Sequence, residues 1–350
     1  MGMTSGLLAP RIPKIHLHCH LEGCLRAATF VELAEKHGVP LRYRPASDSA
    51  LHDIDRAEPY RFTGLQEFLY LFAAVSRSLQ QPEDYARLAR EFVEDALAQN
   101  VIYGELFVSP SVWTFFHPQL DVRETIEAIA VTLRAARPKA SFKLLADLTR
   151  NFGAQSAMAT ARSMAEMTEL DVIGIGLGGD ECRFPAALFA DAFDYARACG
   201  LHCVAHAGEA AGAQSVRDAV ELLHAQRIGH GIHALDDPQC VELLAAREIA
   251  LEICPTSNRL TGSELAAHPN AFLDFDLRGC VVTIDCDDPA IFRSSIQNEY
   301  ALVERVAGAT ALERYVRNAI RASFASPQEK EAMEQRLTAA VAELPVAQRS

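Results

Sequence analysis

The sequence predicts an α/β protein: a (β/α)8 TIM barrel with an inserted helical lid layer and C-terminal helices. Three observations carry that expectation. Eight short apolar runs punctuate the chain, with helical periods between most of them. The runs are nearly continuous in apolar residues, as parallel strands buried on both faces are. Their ionisable residues collect at or just beyond their C-terminal ends, the face on which such barrels carry chemistry. A chain of 350 residues, 49% hydrophobic, suits one barrel domain spanning 1–350. A doubly wound open sheet would instead call for a Gly-rich phosphate turn after an early strand. Gly174-x-Gly176-x-Gly178-Gly179 lies late and does not match that fingerprint.

The first run is Ile15-His16-Leu17-His18-Cys19-His20-Leu21-Glu22-Gly23. Its period of two places His16, His18 and His20 on one inward face. A helix is expected over 27–37, with Thr29 as its candidate cap and Gly38 and Pro40 as its stop. Residues 41–81 mix charges and Pro with Tyr60, Phe62, Phe68, Tyr70 and Phe72. They read as an inserted helical layer, either an apolar seam on the outside of the domain or a lid over a pocket. Pro82 opens a helix to about residue 100. Strands are then expected at 101–108, 142–148, 172–177, 201–207, 227–229, 250–253 and 280–284. Helices are expected between them at 122–136, 155–170, 185–199, 215–223 and 238–246. Two more, at 309–323 and 327–344, close the chain.

A net charge of −13 makes nucleic acid and anionic membrane surfaces poor partners, and no basic run interrupts it. The expected ligand is therefore a small molecule. The nine cysteines are odd in number and form no Cys-x-x-Cys pair. Several, such as Cys203, Cys254 and Cys280, sit in apolar runs and read as reduced core residues. Residues 1–11 lack the apolar core and cleavage site of a signal peptide, and no run approaches the roughly 18 apolar residues of a membrane span. The expected location is cytoplasmic; the oligomeric state is not legible.

The polar residues at the strand ends are His18-x-His20-x-Glu22, Gly178-Gly179-Asp180-Glu181, His206-Ala207-Gly208-Glu209, Gly229-His230-Gly231 and Asp285-Cys286-Asp287-Asp288-Pro289. A lone His-x-His is a weak signal, but this clustering at one rim is hard to explain by packing. Two histidines of the first strand, His206 and one aspartate make a His3Asp set suited to Zn2+ or another first-row metal. A two-metal barrel hydrolase bridged by a modified lysine is disfavoured, because no lysine occurs between 144 and 329. Zinc deaminases with a Pro-Cys-x-x-Cys signature are excluded, since no such pair exists. Glu209, three residues past a ligand, would face the same cavity without binding the metal. Sealed in an apolar pocket, it is expected to have a raised pKa and to donate a proton. Alone it reads equally well as a carboxylate at a helix N-terminus. His230 lies between glycines that let a ligand or neighbouring backbone come close. Beside a metal it reads as a base or electrostatic partner.

In order along the chain, Pro13-Lys14 with His18-Cys19-His20-Leu21-Glu22-Gly23, Gly179-Asp180-Glu181, His206-Ala207-Gly208-Glu209, Arg227-Ile228-Gly229-His230-Gly231, Cys254-Pro255-Thr256-Ser257-Asn258 and Asp287-Asp288-Pro289 resemble the adenosine deaminase family of purine aminohydrolases. Each segment is short, but the ordered set spans most of the chain and is specific. The resemblance implies one Zn2+ ion held by His18, His20, His206 and Asp287. It implies that Glu209 protonates purine N1 and that His230 stands beside the metal-bound water. It further implies that Asp288 hydrogen-bonds N7 and that the backbone of Gly179 meets N3. The reaction implied is hydrolytic deamination through attack of metal-activated hydroxide at C6.

Glu22 stands where the family's nucleoside deaminases often have an Asp that contacts the ribose 5′-hydroxyl, and adenine-specific relatives commonly carry Glu there. Gly179-Asp180-Glu181, by contrast, resembles the nucleoside branch. The expected substrate is a 6-aminopurine nucleoside, adenosine first. Adenine comes second, and a modified nucleoside such as aminodeoxyfutalosine third. Two readings from other classes are another mononuclear amidohydrolase and a non-catalytic purine-binding barrel. The latter would be expected to have lost a ligand or Glu209, and this chain has lost none. With His18 and His20 selected as ligands, His16 is expected one layer deeper in the barrel. Relatives often have Glu at that position.

Overall fold

The computed structural model describes residues 7–43 and 51–343. Eight parallel strands form a sheet in sequence order that curls into a nearly closed barrel. They are β1 Lys14–His20, β2 Val101–Val108, β3 Ser141–Thr149, β4 Val172–Gly178, β5 His202–Ala207, β6 Arg227–His230, β7 Ala250–Ile253 and β8 Val281–Ile284. Each lies where an apolar run predicts it, with ends moved by a residue or so. The fold is therefore the (β/α)8 barrel. Side chains such as Leu144, Leu148 and Ile175 join the main core, which continues into the surrounding helices. Phe107, Leu145 and Val204 form a separate small cluster inside the lumen, with Phe324 against it from below.

The barrel is closed beyond the end of β8 rather than along it. His20 donates its backbone N–H to the Asp287 carbonyl at 3.0 Å, and Asp287 donates to His18 at 3.1 Å. Below that point a side chain replaces the missing strand partner. One Asp285 carboxylate oxygen accepts the N–H groups of Leu17 and His18 at 2.6 and 3.0 Å, and the other accepts the Thr283 hydroxyl at 3.0 Å. All of these groups are buried, where an unpartnered donor is costly.

β1 is not a regular strand. His16 pairs with Gly104 and Cys19 with Leu106, so one extra residue is inserted between them. Such a bulge reverses which face the side chains on either side of it take. His18 and His20 point into the lumen. His16 turns outward instead, into a cavity of about 390 Å³ that it lines with Cys24, Phe92, Ala96 and Ile296. Its Nε2 lies 3.2 Å from Cys286 Sγ. The expectation that all three histidines share an inward face, with His16 deeper in the barrel, is thereby corrected.

Other differences are local. Thr29 lies inside helix Ala27–Lys36 rather than capping it, and its hydroxyl donates to Glu91 at 2.8 Å. Residues 41–81 are only partly helical. Arg42–Tyr43 pairs with His52–Asp53 as a short hairpin, Gly64–Ser78 is a helix, and 44–50 fall outside the described residues. That helix crosses the C-terminal rim against two short helices, Pro110–Phe116 and Pro255–Thr261. The short helices, with Ala271–Leu277 and Ile296–Ala307, were not predicted. The chain closes with Ala309–Ala322 and Pro327–Ala342; the expected end at 344 falls outside the described residues, as do 1–6 of the N-terminal stretch. Among the described residues no helix is long and apolar enough to cross a membrane.

Replacing Asp285 with Ala should leave two buried N–H groups unpaired and lower the unfolding free energy by about 2–4 kcal/mol. A urea midpoint indistinguishable from that of the unaltered protein would contradict this account of the seam.

Candidate active site

β1 delivers His18 and His20 to the lumen, β5 delivers His206, and the turn after β8 delivers Asp287. The orientation of two imidazoles is set by their far nitrogens. His18 Nδ1 donates to Glu252 at 2.8 Å, and His206 Nδ1 donates to the Leu177 carbonyl at 3.1 Å. A carbonyl or carboxylate oxygen only accepts, so each ring spends its Nδ1–H there and turns Nε2 to the same point. His18 Nε2 is buried without a hydrogen-bond partner. It lies 3.5 Å from Asp287 Oδ1, as does His20 Nε2, which is also 3.1 Å from His206 Nε2. Tetrahedral zinc with bonds of about 2.0–2.2 Å would space its ligands by about 3.4 Å. The donor types thus suit a zinc ion, and these three separations are close to its ligand spacing.

Charge agrees with geometry. Burial pulls His20 down to about 3 and His206 well below its ordinary value, so both stand neutral with free lone pairs. Burial also opposes a charge on His18, but the Asp287 and Glu252 carboxylates outweigh it and raise its pKa to about 10. Burial would likewise raise Asp287, but His18, 3.5 Å away, and the other surrounding imidazoles hold it well below the ordinary carboxylate range. This point in the lumen favours a positive charge.

His230 needs separate treatment. Its Nδ1 faces Asn258 Oδ1 at 2.8 Å. Its Nε2 lies 3.8 Å from Glu209 Oε2 and 3.9 Å from Asp287 Oδ2. Donor atoms of His18, His206, His230 and Asp287 all lie within 4.8 Å of one another, as do those of His20, Asp287 and Asp288. Proximity alone therefore admits His230 as a ligand. However, the Asp287 oxygen it faces already accepts the Ser257 hydroxyl at 2.6 Å, whereas His18 and His20 face the other oxygen. His230 and Asp287 both take left-handed backbone conformations, at φ 60° and 63°. Aspartate and histidine take that conformation more readily than most residues, and here it aims both side chains into the lumen. The glycine before His230 has a specific cause: a Cβ on Gly229 would lie 2.7 Å from His18 Cε1. The close neighbour is thus the His18 ring.

Glu209 sits on a loop fixed by Glu181. The Glu181 carboxylate accepts the backbone N–H groups of Gly208, Glu209, Ala210 and Ala211 at 2.5–3.1 Å. Burial raises the Glu209 pKa, the Asp287 and Glu181 charges add to the rise, and His230 opposes it. Glu22 is fully buried. Its Oε1 accepts Ser109 N–H at 2.9 Å and Trp113 Nε1–H at 2.6 Å, while Oε2 has no partner. Burial raises its pKa against those hydrogen bonds. Asp288 packs on Gly23 with Oδ1 unpartnered, and burial plus the Asp287 charge push it well above the usual range. Gly179 has φ +98°, and a Cβ there would lie 2.5 Å from Asn151 Oδ1.

Several participants were missed. Glu252 orients His18 and is bound at 2.5 Å by Arg227, which also binds Glu105 at 2.5 Å. Glu105 in turn accepts Tyr103 Oη–H and Phe324 N–H at 2.8 and 2.6 Å. A signal existed: Glu105, Arg227 and Glu252 are charged residues inside apolar strands. Ser257 and Asn258 lie in a segment that carries the family resemblance, but their contacts to Asp287 and His230 are visible only in the fold.

The sequence profile of the adenosine deaminase family matches residues 13–340. An adenine deaminase from Rhodospirillum rubrum is 37% identical over 340 residues, covering 94% of this chain and 96% of its own. An adenosine deaminase from Clostridium botulinum is 32% identical over 332 residues, covering 92% and 96%. Among solved structures, a cog1816 amidohydrolase from Burkhoderia ambifaria with bound zinc superposes with a TM-score of 0.84 at 26% identity, covering 98% of this chain and 97% of that one.

Replacing Glu252 with Gln should weaken zinc affinity by about 10–100-fold, because the partner that orients and polarises His18 loses its charge. Competition against a chromophoric chelator measures it, and unaltered affinity would show that Glu252 does not support a ligand.

Proposed function

The chain belongs to the adenosine deaminase family, a family of metal-dependent hydrolases acting on C–N bonds, and from that premise we propose that it deaminates a 6-aminopurine nucleoside, adenosine first, using one zinc ion. The observation that carries this reading is the convergence of His18, His20, His206 and Asp287 on one point, with Glu209 and His230 beside it. These four residues would hold the ion. When bound, it would supply a Lewis acid and lower the pKa of water from 15.7 to about 7.

The chain's own groups account for the remaining chemistry. Glu209, whose pKa is raised by burial, donates a proton to purine N1, so that C6 becomes electrophilic. His230 carries its proton at Nδ1 against Asn258 and turns a free Nε2 to the site, where it can take a proton from the attacking water. Purine N7 only accepts, so its partner must donate. Burial and the Asp287 charge favour the protonated form of Asp288, which suits it to this role. Gly179 offers its backbone to N3, held by the turn against Asn151. The proton that His230 took passes to the amino nitrogen, and ammonia leaves from the tetrahedral C6 as the C6 hydroxyl proton returns to the Glu209 carboxylate. Helix Gly64–Ser78 covers the pocket: the Phe72 ring lies 6.3 Å from that of His20. The nine cysteines, all free thiols and seven of them buried, support a cytoplasmic location.

The nucleoside reading rests on the Gly179-Asp180-Glu181 turn and on the free Oε2 of Glu22, placed to accept from a ribose hydroxyl. Adenine is the second reading. It is favoured by Glu22 itself, whose longer side chain is pinned by Trp113 and Ser109 at the place proposed for the ribose.

Ammonia release from adenosine, deoxyadenosine, adenine and 5′-modified analogues decides between them; a preference for adenine would favour the second reading. Glu209→Gln should retain its zinc and lose turnover by about 10²–10⁴-fold. Turnover equal to that of the unaltered protein would remove Glu209 from the role of acid.

A further inference from the structure

The function proposed above leaves Asp147 without a task. It lies on β3 two residues beyond Leu145, whose side chain belongs to the lumen cluster. Strand alternation therefore places Asp147 in the lumen one layer nearer the rim. This is also the step from Val204 to His206 on β5. Asp147 thus stands at the level of the ligands.

The neighbouring strand makes room for it. Asp147 pairs with Gly176 on β4. A Cβ at Gly176 would lie 2.9 Å from Asp147 Oδ1, and one at Gly178 would lie 2.3 Å from Oδ2. The stripe Gly174-x-Gly176-x-Gly178, which is no dinucleotide fingerprint, is here the space a carboxyl group occupies. Despite that room, Asp147 Oδ1 is buried without a hydrogen-bond partner in a residue only 6% exposed. The nearest arginine in sequence, Arg150, spends two of its donors on the carbonyls of Phe184 and His206. Burial pushes the Asp147 pKa up to about 7; the Glu22 charge adds to the rise, and His18 and Arg150 oppose it. A buried carboxyl oxygen with prepared space and no protein partner is rare in a folded chain, and at a pocket wall its natural partner is a ligand.

We propose that Asp147 is a substrate-binding residue whose free oxygen accepts a hydrogen bond from a sugar hydroxyl of the nucleoside, near Glu22. The choice of hydroxyl follows from the substrate's own chemistry. Purine N1, N3 and N7 are acceptors, and the amino group is held at the reacting carbon. The donors left over are on the sugar. Two carboxyl groups on that wall also disfavour a 5′-phosphate at this point. This role rests on the nucleoside reading.

The test uses the zinc-loaded, full-length protein, its Asp147→Ala and Asp147→Asn variants, and adenosine with its 2′-, 3′- and 5′-deoxy analogues. Asp147→Ala should raise KM for adenosine by about ten-fold or more while kcat and zinc content stay near those of the unaltered protein. Asp147→Asn keeps the shape and one acceptor oxygen, so it should fold and lose less. One deoxy analogue should already show the raised KM with the unaltered protein and be insensitive to the substitution. Equal losses on adenosine and all three analogues, no loss on any, or loss of zinc from both variants would overturn the role. Activity of the unaltered protein on adenine alone would instead overturn the nucleoside reading, and this role with it.

Discussion

The structure depends on a line of buried charges up the barrel axis. Glu105, Arg227 and Glu252 are linked by two short ion pairs, and Glu252 then grips His18. None of the three charged side chains reaches solvent. Taking such charges out of water is expensive, and an incomplete set is worse than none. Here it is nearly complete. Arg227 also donates to the Ala322 carbonyl and covers the Phe324 ring, while Glu105 takes Tyr103 and Phe324. The line runs from the barrel's lower plug to the ligand cluster and fixes the His18 ring. It also explains why β6 begins with an arginine and why β7 carries a glutamate in a four-residue apolar strand.

Closure of the barrel and assembly of the site use the same residues. The Asp287 main chain seals the seam with β1, and its side chain faces His18 and His20. Asp285, two residues earlier, holds the β1 backbone through the bulge that separates His16 from the lumen. The pocket is then rich in carboxyl groups: Glu22, Asp147, Glu209 and Asp288 all have pKa values raised chiefly by burial. Crowded acids in a dry lumen keep their protons unless a cation relieves them, and a divalent ion at the His–Asp cluster would dominate the local field.

Much of this was legible in the sequence, for identifiable reasons. Parallel strands buried on both faces leave continuous apolar runs, so the barrel could be counted out. Polar residues that end such runs stand out, so two first-strand histidines, His206, one aspartate, Glu209 and His230 gather before any coordinates, and resemblance to the family selects His18, His20 and Asp287. The bulge in β1 left no such trace, because an inserted residue in an all-buried strand changes facing without changing composition. His16 was therefore placed on the wrong side of the barrel wall. Thr29 failed as a cap because helix Ala27–Lys36 starts without a side-chain cap, while its hydroxyl serves Glu91 instead. Glu252 and Asp285 were visible as charges in apolar surroundings, but only the fold reveals their partners, 234 residues away at His18 and 268 residues away at Leu17.

The claim on which the account turns is that the lumen cluster holds one functional zinc ion. Metal analysis of the purified protein, followed by chelation and readdition with ammonia release from adenosine as the readout, tests it most directly. The account predicts one zinc per chain, loss of turnover on chelation and recovery on return of the metal. Full turnover from metal-free protein would contradict it.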